Sequence, residues 1–231
     1  FLNDSEDIVP KPYKTLYLLH GLYGSDDIFL ANTSIQKFAE DHWIAIVISF
    51  GENSFYVDNK NAHAYYGEYV GQELLDITRN IFPLSTKRED TYIAGFSMGG
   101  YGAIRNGLKY SKNFSKIGMI SAALITDDIV HYADDSNVLK SKSFYESCFG
   151  DLDKVKNSDM DPKYLIENTD NIPDIFMACG SDDFLFDKNV EFCEFLKSKD
   201  IDVEFIQSPG EHTWEFCDKH VKEFIKTLNL K

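Results

Sequence analysis

The sequence predicts an α/β fold in which a mostly parallel sheet is covered by helices on both faces. Strand-like and helix-like segments alternate along the chain, which is the order that β–α–β units produce. Some strand-like segments are apolar throughout, as strands buried on both faces are. With 231 residues, the chain is expected to form one domain. The predicted strands cover residues 15–19, 43–49, 91–94, 117–121, 175–179 and 203–206.

The first third of the chain contains two predicted strands and one predicted helix. Residues 15–19 form a short apolar run that ends at His20 and Gly21. Residues 43–49 form a continuous apolar run, which predicts a strand buried on both faces. A helix is predicted next and ends at Phe82-Pro83, because apolar residues recur at helical spacing. These residues are Tyr65, Tyr66, Tyr69, Val70, Leu74 and Ile77.

The rest of the chain repeats this alternation with one long interruption. Residues 91–94 predict a strand that runs into a glycine-rich turn, and a helix follows at 102–109. The next strand, at 117–121, is separated from the last four elements by the interruption. Those elements are a strand at 175–179, a helix at 190–197, a strand at 203–206 and a helix at 214–228.

The interruption, residues 125–172, is predicted to be an insertion on the rim of the sheet. It lacks a clear strand pattern and is rich in Asp, Ser, Asn and Lys. Long segments of this kind are often functional or mobile. Its acidic stretch from Asp151 does not match a calcium-binding loop, since Lys156 stands where glycine is needed and Pro162 where glutamate is needed. A solvated acidic surface is the better interpretation.

Charge and composition exclude several classes of protein. The net charge is −15, from 23 basic and 38 acidic residues, so the chain repels phosphate backbones and anionic lipid surfaces. We therefore expect no nucleic-acid partner and no membrane partner. No apolar run reaches the roughly 18 residues of a membrane span. The sequence does not fix the oligomeric state, and a homo-oligomer is compatible with it.

Cysteine usage favours a reducing compartment. Four cysteines in 231 residues are too few for a disulfide scaffold, and none lies in a C-x-x-C or C-x-C pair. We therefore expect four free thiols and a cytoplasmic location. An even number still permits bridges, so a secreted protein is not excluded. No leader sequence is recognisable at the first residues of the chain.

The turn after the predicted strand at 91–94 carries the strongest chemical signal. Residues 95–99 read Gly-Phe-Ser-Met-Gly and match the G-x-S-x-G pattern. A strand before this pattern and a helix after it are typical of a nucleophile elbow, in which Ser97 is exposed on a strained turn. The helix N-terminus behind Ser97 favours developing negative charge. We therefore expect Ser97 to be a catalytic nucleophile, and a glycine-rich turn without chemistry is the alternative.

A serine nucleophile needs a histidine base and an acid that orients it. In folds with this elbow the chain order is Ser, then Asp or Glu, then His. His212 is expected to be the base, because it lies in a loop between the last strand and the last helix. The acid is expected just after the strand at 175–179, where Asp182 and Asp183 are both candidates. Hydrolases of this fold usually place the acid three residues after the glycine, here Gly180, and this family regularity, not the spacing itself, favours Asp183; Asp182 then becomes a turn residue.

Acyl transfer also needs backbone donors for the oxyanion of the tetrahedral intermediate. The N–H of Met98, next to the nucleophile, is one candidate, and the N–H of Leu22, in the loop after the first strand, is the other. His20 in that loop is expected to be structural. The sequence contains no metal-ligand spacing, no Walker A loop and no dinucleotide fingerprint, so neither a metal nor a cofactor is expected.

Together these residues resemble the esterase D family of α/β-hydrolases. The resemblance covers nearly the whole chain and is carried by residues 17–24 (YLLHGLYG), 87–102 (KREDTYIAGFSMGGYG), 179–185 (CGSDDFL) and 210–216 (GEHTWEF). It implies an α/β-hydrolase fold and a serine carboxylesterase with Ser97, Asp183 and His212 as its triad. Members similar to tributyrin esterases remove short acyl groups; acetyl xylan esterases, feruloyl esterases and S-formylglutathione hydrolases are relatives.

The resemblance favours hydrolysis of acetyl to butyryl esters, with a small-molecule or carbohydrate ester as substrate. An S-formylglutathione thioesterase, a feruloyl esterase and a hydrolase-fold binding protein without turnover are the alternatives. The substrate pocket is expected to draw on Phe55, Tyr56, Tyr145, Phe149 and Trp214. Relatives usually carry antiparallel strands before the His-Gly loop. Here there is little room for them, and Phe1-Leu2 is expected to be the end of such a strand unless the chain begins after it.

Overall fold

The centre of the fold is a six-stranded parallel sheet with strand order β2-β1-β5-β6-β7-β8. A computed structural model of the protein describes residues 11–228 and residue 230. Phe1 and Leu2, expected at the end of an additional strand, lie outside the described residues. The strands are β1 Thr15–Leu19, β2 Ala45–Ser49, β5 Thr91–Phe96, β6 Lys116–Ile120, β7 Asp174–Gly180 and β8 Val203–Ser208. A separate antiparallel pair consists of β3 Asp58–Asn59 and β4 Ala64–Tyr65.

Helices cover both faces of the sheet. On one face lie the helix that ends at Ile81, α5 Met98–Lys109 and α8 Phe186–Ser198; the insertion adds α6 Lys142–Phe149 and α7 Pro162–Glu167. The other face carries α1 Ile28–Asn32, α2 Ile35–His42 and α9 Trp214–Lys226. Short 3₁₀ turns occupy Lys60–Ala62, Arg88–Asp90, Ile129–His131, Val138–Lys140 and Leu152–Lys154.

The two hydrophobic cores follow from the period of two in the strands. In β1, Leu16 and Leu18 pack under α1, α2 and α9, whereas Tyr17 and Leu19 pack on the opposite face. Successive side chains of a strand point to opposite faces, so an apolar strand supplies both cores at once. The prediction of an α/β fold with helices on both faces of a mostly parallel sheet is confirmed.

Strand register brings four loops to one edge of the sheet. Leu19 is aligned with Gly95, Phe96 with Ile120, and Gly180 with Ser208. Because all six strands are parallel, their carboxyl ends lie at this edge, where open α/β sheets bind their ligands. The loops that carry His20, Ser97, Asp183 and His212 therefore meet there.

The second strand differs from its prediction. Trp43 has a left-handed backbone with φ 55° and ends α2, so the strand begins only at Ala45. Residues 45–48 are partly exposed, because β2 is at the edge of the described sheet. The prediction that this strand is buried on both faces is wrong, since an apolar run cannot reveal whether a strand lies at the centre or at the edge.

Some helices begin or end a few residues away from their predicted limits. The helix after β4 runs through α3 Tyr66–Glu68, a π-helical stretch Tyr69–Glu73 and α4 Leu74–Ile81. Tyr65, predicted in this helix, belongs to β4. Helix α5 begins at Met98, directly after Ser97. Because glycine has a low helix propensity, the glycines in the first turn made the predicted helix begin too late.

The insertion contains no strand within residues 125–172, and its short helices pack onto the sheet domain. Tyr145, Phe149 and Leu152 join the core that also contains Phe55 and Tyr101. The single-domain organisation and the limits of the insertion stay predictions. No helix in the described part of the chain is long and apolar enough to cross a membrane.

Candidate active site

Ser97 lies on a sharp turn between β5 and α5. Its backbone has φ 58° and ψ −118°, a conformation that strains a residue with a side chain. The Ser97 N–H donates to Ile120 O over 3.0 Å, which ties the turn to β6. Phe96 and Met98 are buried on either side, whereas Ser97 is partly exposed. The turn therefore presents one hydroxyl to solvent at the edge of the sheet.

Two glycines make this turn possible. A Cβ on Gly95 would lie 2.1 Å from Gly99 O, and a Cβ on Gly99 would lie 2.0 Å from Leu19 O. Both distances are far below van der Waals contact, so any side chain would push α5 away from the strands. The small residues of the G-x-S-x-G pattern thus follow from close approach of helix to sheet.

Asp183 and His212 form a hydrogen-bonded pair. The His212 Nδ1–H donates to Asp183 Oδ2 over 2.8 Å, and the Leu185 N–H donates to Asp183 Oδ1 over 2.8 Å. The side chain of Asp183 is fully buried, and that of His212 is 19% exposed. Burial opposes ionisation of this carboxyl, but the hydrogen bonds from His212 and Leu185 hold the pKa of Asp183 below its usual value. A buried carboxylate thus fixes the ring with Nε2 free to act as a base.

Two aromatic rings pack against His212. The Phe96 ring stacks on it with centroids 4.6 Å apart, and the Phe184 ring lies 4.7 Å away. Trp214 supports Phe96 with centroids 5.3 Å apart. Because Phe96 directly precedes Ser97, this stacking places the His212 ring beside the turn that carries Ser97.

The carboxylate of Asp182 makes other hydrogen bonds than that of Asp183. Its Oδ2 accepts from the Gly210 N–H over 3.4 Å and from the Ser181 hydroxyl over 3.2 Å, and the residue is exposed. These contacts link the loop after β7 to the loop that carries His212. Of the two acids that the sequence left open, Asp183 is the one that contacts His212.

The loop after β1 lies against Ser97. A Cβ on Gly21 would be 3.2 Å from the Ser97 Cβ. Within the described residues, the N–H of Leu22 has no protein acceptor, and the N–H of Met98 is at the first position of α5, where no intrahelical acceptor exists. Two backbone donors thus remain available beside the Ser97 hydroxyl.

His20 holds this loop in place as a neutral ring. Its Nδ1–H donates to Gly21 O over 2.7 Å, and its Nε2 accepts from the Gly51 N–H over 2.9 Å. The side chain is fully buried, and burial lowers the pKa of His20. The Tyr56 hydroxyl also donates to His20 O over 3.0 Å. With both ring nitrogens engaged, His20 is placed to support the loop.

The comparisons with known proteins agree with this geometry. The model of the Esterase family matches residues 8–221, which is most of the chain. The chain belongs to the Esterase family. An acetyl esterase of Caldicellulosiruptor saccharolyticus is 42% identical over 229 residues, which cover 97% of this chain and 86% of that protein. This esterase is therefore a serine carboxylic ester hydrolase.

Two solved structures are similar over the whole chain. The fluorophosphonate-binding serine hydrolase FphF of Staphylococcus aureus is 33% identical, with a TM-score of 0.86. The S-formylglutathione hydrolase FrmB of the same organism is 31% identical, with a TM-score of 0.84. In both cases all of this chain and 90% of the other are covered. The α/β-hydrolase fold that the resemblance implied is confirmed, and enzyme function is favoured over a hydrolase-fold binding protein.

The predicted substrate pocket of this esterase needs correction. Phe55 and Tyr56 are 0% exposed, Tyr145 is 2% exposed and Phe149 is 3% exposed, so these four rings belong to the core. Phe55 packs on Phe149 and Tyr145 with centroids 5.1 and 5.7 Å apart. Large rings remove more apolar surface from water when they pack against one another than when they line an open cleft, so burial in the core is favoured. Trp214 is partly exposed and packs against Phe96, so its place in the substrate pocket stays a prediction.

A cavity of about 720 Å³ lies beside residues 20–24, which we call the oxyanion loop because its Leu22 N–H is one of the two predicted oxyanion donors. Residues of three segments line it, among them Tyr23, Phe50, Glu52, Asn53, Phe144 and Cys148. The Tyr23 N–H donates to Asn53 Oδ1 over 2.7 Å, which joins the oxyanion loop to the cavity wall. Sequence reasoning missed this wall; the only signal was that residues 50–54 follow a predicted strand.

Among the described residues, no group of three or more His, Cys, Asp and Glu side chains is placed to hold a metal ion.

Proposed function

We propose that this esterase hydrolyses short-chain acyl esters, from acetyl to butyryl, through an acyl-enzyme on Ser97. The observation that carries the proposal is the buried Asp183–His212 pair, 2.8 Å apart, held by Phe96 beside the Ser97 elbow. Similarity to a protein named acetyl esterase, 42% identical, supports a short acyl group.

The geometry supports a two-step acyl transfer. His212 Nε2 takes the proton of Ser97 while the hydroxyl oxygen attacks the ester carbonyl carbon. The carbonyl oxygen becomes an oxyanion that accepts from the N–H groups of Leu22 and Met98. His212 then gives the proton to the departing alcohol. In the second step a water molecule, deprotonated by His212, attacks the acyl-enzyme and releases the carboxylic acid and Ser97.

Asp183 remains an anion throughout this cycle. It fixes the tautomer in which Nδ1 carries hydrogen, and it stabilises the imidazolium that forms when His212 accepts a proton. Its pKa, already held below the usual value, suits this role.

The cavity beside the oxyanion loop offers room for the alcohol part of the ester. Tyr23 is 67% exposed and Phe50 is 49% exposed, so two rings are available for contact with a flat, hydroxyl-bearing group. Glu52 and Asn53 add polar groups. Exposed rings together with carboxylate and amide groups suit an uncharged alcohol such as an acetylated sugar.

S-formylglutathione is the second candidate, because FrmB is 31% identical. Two features of this chain oppose it. The cavity contains the carboxylate of Glu52 and no Lys, Arg or His, and the chain carries a net charge of −15. Glutathione carries carboxylates of its own, which these charges repel.

Steady-state kinetics on a panel of esters tests the proposal. We expect kcat/KM to be highest for p-nitrophenyl acetate and butyrate and to fall steeply at octanoate. Each accommodated methylene contributes about 0.8 kcal/mol of burial, but overfilling costs more. Acetylated xylan, S-formylglutathione and methyl ferulate are compared in parallel, with Ser97→Ala as the blank. A preference for octanoate, S-formylglutathione or methyl ferulate over the acetyl esters would overturn the short-acyl assignment.

We further propose that the esterase works in a reducing, cytoplasmic compartment, without nucleic-acid or membrane partners. The support is that all four cysteines are buried and unpaired and that the net charge is −15. Thiol titration of protein purified without reductant and then denatured should return four thiols per chain; fewer would argue for an oxidising compartment.

A further inference from the structure

Ser121 is strained, buried and without a hydrogen-bond partner for its hydroxyl. It follows β6 directly, and its backbone has φ 45°, which is unfavourable for any residue other than glycine. Its side chain is 0% exposed, and its Oγ has no partner of good geometry among the described residues. Both features cost folding free energy. Alanine would avoid the second cost and glycine would avoid both, so a hydroxyl at this position suggests a function.

The backbone around Ser121 connects the two halves of the active site. The Ser121 N–H donates to Ala178 O over 2.8 Å, which extends the pairing of β6 with β7 to the strand end before the acid loop. Its neighbours hold the nucleophile: the Ser97 N–H donates to Ile120 O, and the Ala123 N–H donates to Ser97 O, each over 3.0 Å. Ser121 is therefore fixed between Ser97 and the end of β7.

A buried asparagine holds the same segment to the acid loop. The Asn189 side chain donates to Ala122 O over 3.0 Å and to Leu185 O over 2.9 Å, while its Oδ1 accepts from the Ala122 N–H over 3.2 Å. The Leu185 N–H in turn donates to the Asp183 carboxylate. Asn189 is 0% exposed, so this connection is shielded from water. The segment that carries Ser121 cannot move relative to Asp183 without breaking it.

The carboxylate of Asp183 can accept more than the two hydrogen bonds already described. Its Oδ2 accepts from His212 and its Oδ1 from Leu185, and an ionised carboxylate has about four acceptor sites. The Ser121 hydroxyl is among the groups that lower the pKa of Asp183, after burial and the His212 and Leu185 bonds. The same hydroxyl also opposes the raised pKa of the buried Cys179 thiol, so it lies near both groups, and of the two the carboxylate is the stronger acceptor.

We propose that Ser121 is a positioning residue for the catalytic acid, whose hydroxyl donates to the Asp183 carboxylate and fixes it against His212. The hydrogen bond matters most when His212 becomes positively charged, because the carboxylate must then remain ionised and in place. Ser121 touches neither the substrate nor the Ser97 hydroxyl in this role. The proposal rests on the proposed function, since it assumes that Asp183 serves His212.

The test compares Ser121→Ala, which keeps the backbone strain, with Ser121→Gly, which relieves it. Both remove the hydroxyl, so both should lower kcat for p-nitrophenyl acetate by roughly 10- to 100-fold with little change in KM, the range for a hydrogen bond to a charged group. The acid limb of kcat/KM should move to higher pH in both, because Asp183 loses a donor to its ionised form. Melting temperatures should differ, with the glycine variant the more stable.

Ser49→Ala is the matched control. Ser49 is also a buried serine at a strand end whose hydroxyl has no partner among the described residues, and it lies on β2, which β1 separates from the strand that leads to Ser97. Its removal should leave kcat and the pH profile unchanged. Ser121→Cys retains the size and a weak S–H donor, so it should keep more activity than Ser121→Ala. The cysteine variant also serves if neither smaller variant folds.

The outcomes separate this inference from the proposed function. If Ser121→Gly keeps wild-type kcat and pH profile, or if activity among the variants follows melting temperature alone, Ser121 is only structural and the inference is wrong. Equal activity of the cysteine and alanine variants would also overturn it. If Ser97→Ala retains activity, the proposed function itself has failed.

Discussion

The imidazole of His212 stacks on the ring of Phe96, the residue directly before Ser97, with planes inclined by 25°. Phe96, the first variable position of the G-x-S-x-G pattern, therefore contacts His212, although the two residues are far apart in sequence. Stacking restricts rotation of the ring, and the hydrogen bond to Asp183 fixes which nitrogen faces Ser97. The Phe96 ring, at the end of β5, thus helps to hold the His212 ring near Ser97.

Replacing Ser97 should abolish turnover. Ser97→Ala removes the only hydroxyl that the elbow presents, so no acyl-enzyme can form, while oxyanion donors and binding leave a small residual rate. Ester hydrolysis is measured beside the far-ultraviolet circular dichroism spectrum, which should not change. A fluorophosphonate probe followed by peptide mass spectrometry should locate the adduct on Ser97; an adduct on another serine would refute the assignment.

The two neighbouring acids should behave differently. Asp183→Asn should lower kcat by about 10³- to 10⁴-fold, because the amide stabilises the wrong tautomer of His212. Asp182→Asn is the matched control and should stay within a fewfold of wild type, since the Asp182 carboxylate accepts from Gly210 and Ser181 and, among the described residues, makes no hydrogen bond to His212. Rates are measured with p-nitrophenyl acetate. Comparable losses in both variants would show that the acid loop, and not one carboxylate, governs activity.

His220 should make the fold sensitive to acid. It is buried, its Nδ1 has no partner among the described residues, and burial, followed by the charge of Lys219, lowers the pKa of His220 to about 4. In the unfolded chain a histidine titrates near pH 6.5. Between these values the unfolded state binds a proton that the folded state does not, so stability is present above pH 6.5 and is lost as pH falls towards 4.

Urea unfolding at several pH values measures this effect. His220→Leu should flatten the pH dependence of the unfolding free energy by up to about 1.4 kcal/mol per pH unit in this window. His63→Asn, a change at an exposed histidine, is the control and should keep the wild-type slope. Parallel curves for wild type and His220→Leu would show that His220 is accessible to protons in the folded state.

Arg105 should be important for stability. It is fully buried in α5 and donates to Asp159 O over 2.9 Å and Asp159 Oδ2 over 2.8 Å, and its guanidinium lies 3.5 Å from Asp58 Oδ2. Arg105 thus connects the helix behind Ser97 to the insertion. Arg105→Met removes these hydrogen bonds but leaves Lys109 as the cation beside both carboxylates, so it should cost about 1.5–3 kcal/mol of unfolding free energy.

An exposed ion pair provides the control for this prediction. Lys37 and Asp41 form a surface pair on α2, and Lys37→Met should leave the unfolding free energy nearly unchanged. Both variants are compared by urea unfolding at neutral pH. If Arg105→Met costs no more than Lys37→Met, the network does not hold the insertion in place.

Local patterns predicted the elements that position the site. The elbow around Ser97 was predictable because strand, glycines and helix start are adjacent in sequence. His212 was predictable because its loop follows the last strand, and the carboxyl ends of parallel strands share one edge. Asp182 and Asp183 could not be separated by pattern, since neighbouring residues in a turn point in different directions. Only the fold placed Asp183 against His212.

Burial of the aromatic residues was not predictable from the sequence. Phe55, Tyr56, Tyr145 and Phe149 were expected to line the pocket, but they lie in the core, and Tyr56 supports the loop of His20. An aromatic side chain can line a cleft or pack in a core, and the residue type alone does not show which. Which one it occupies depends on residues brought from distant parts of the chain.

The sequence by itself determined the class of fold and the order of its elements, and it predicted the chemistry at Ser97, because periodicity and short motifs reflect local backbone preferences and close packing within one turn. The tertiary structure decided what depends on contacts between distant segments. These are the edge position of β2, the cavity beside the oxyanion loop, and the placement of Ser121 between the nucleophile and the acid. Such contacts arise only when parallel strands align in register, which no local pattern specifies.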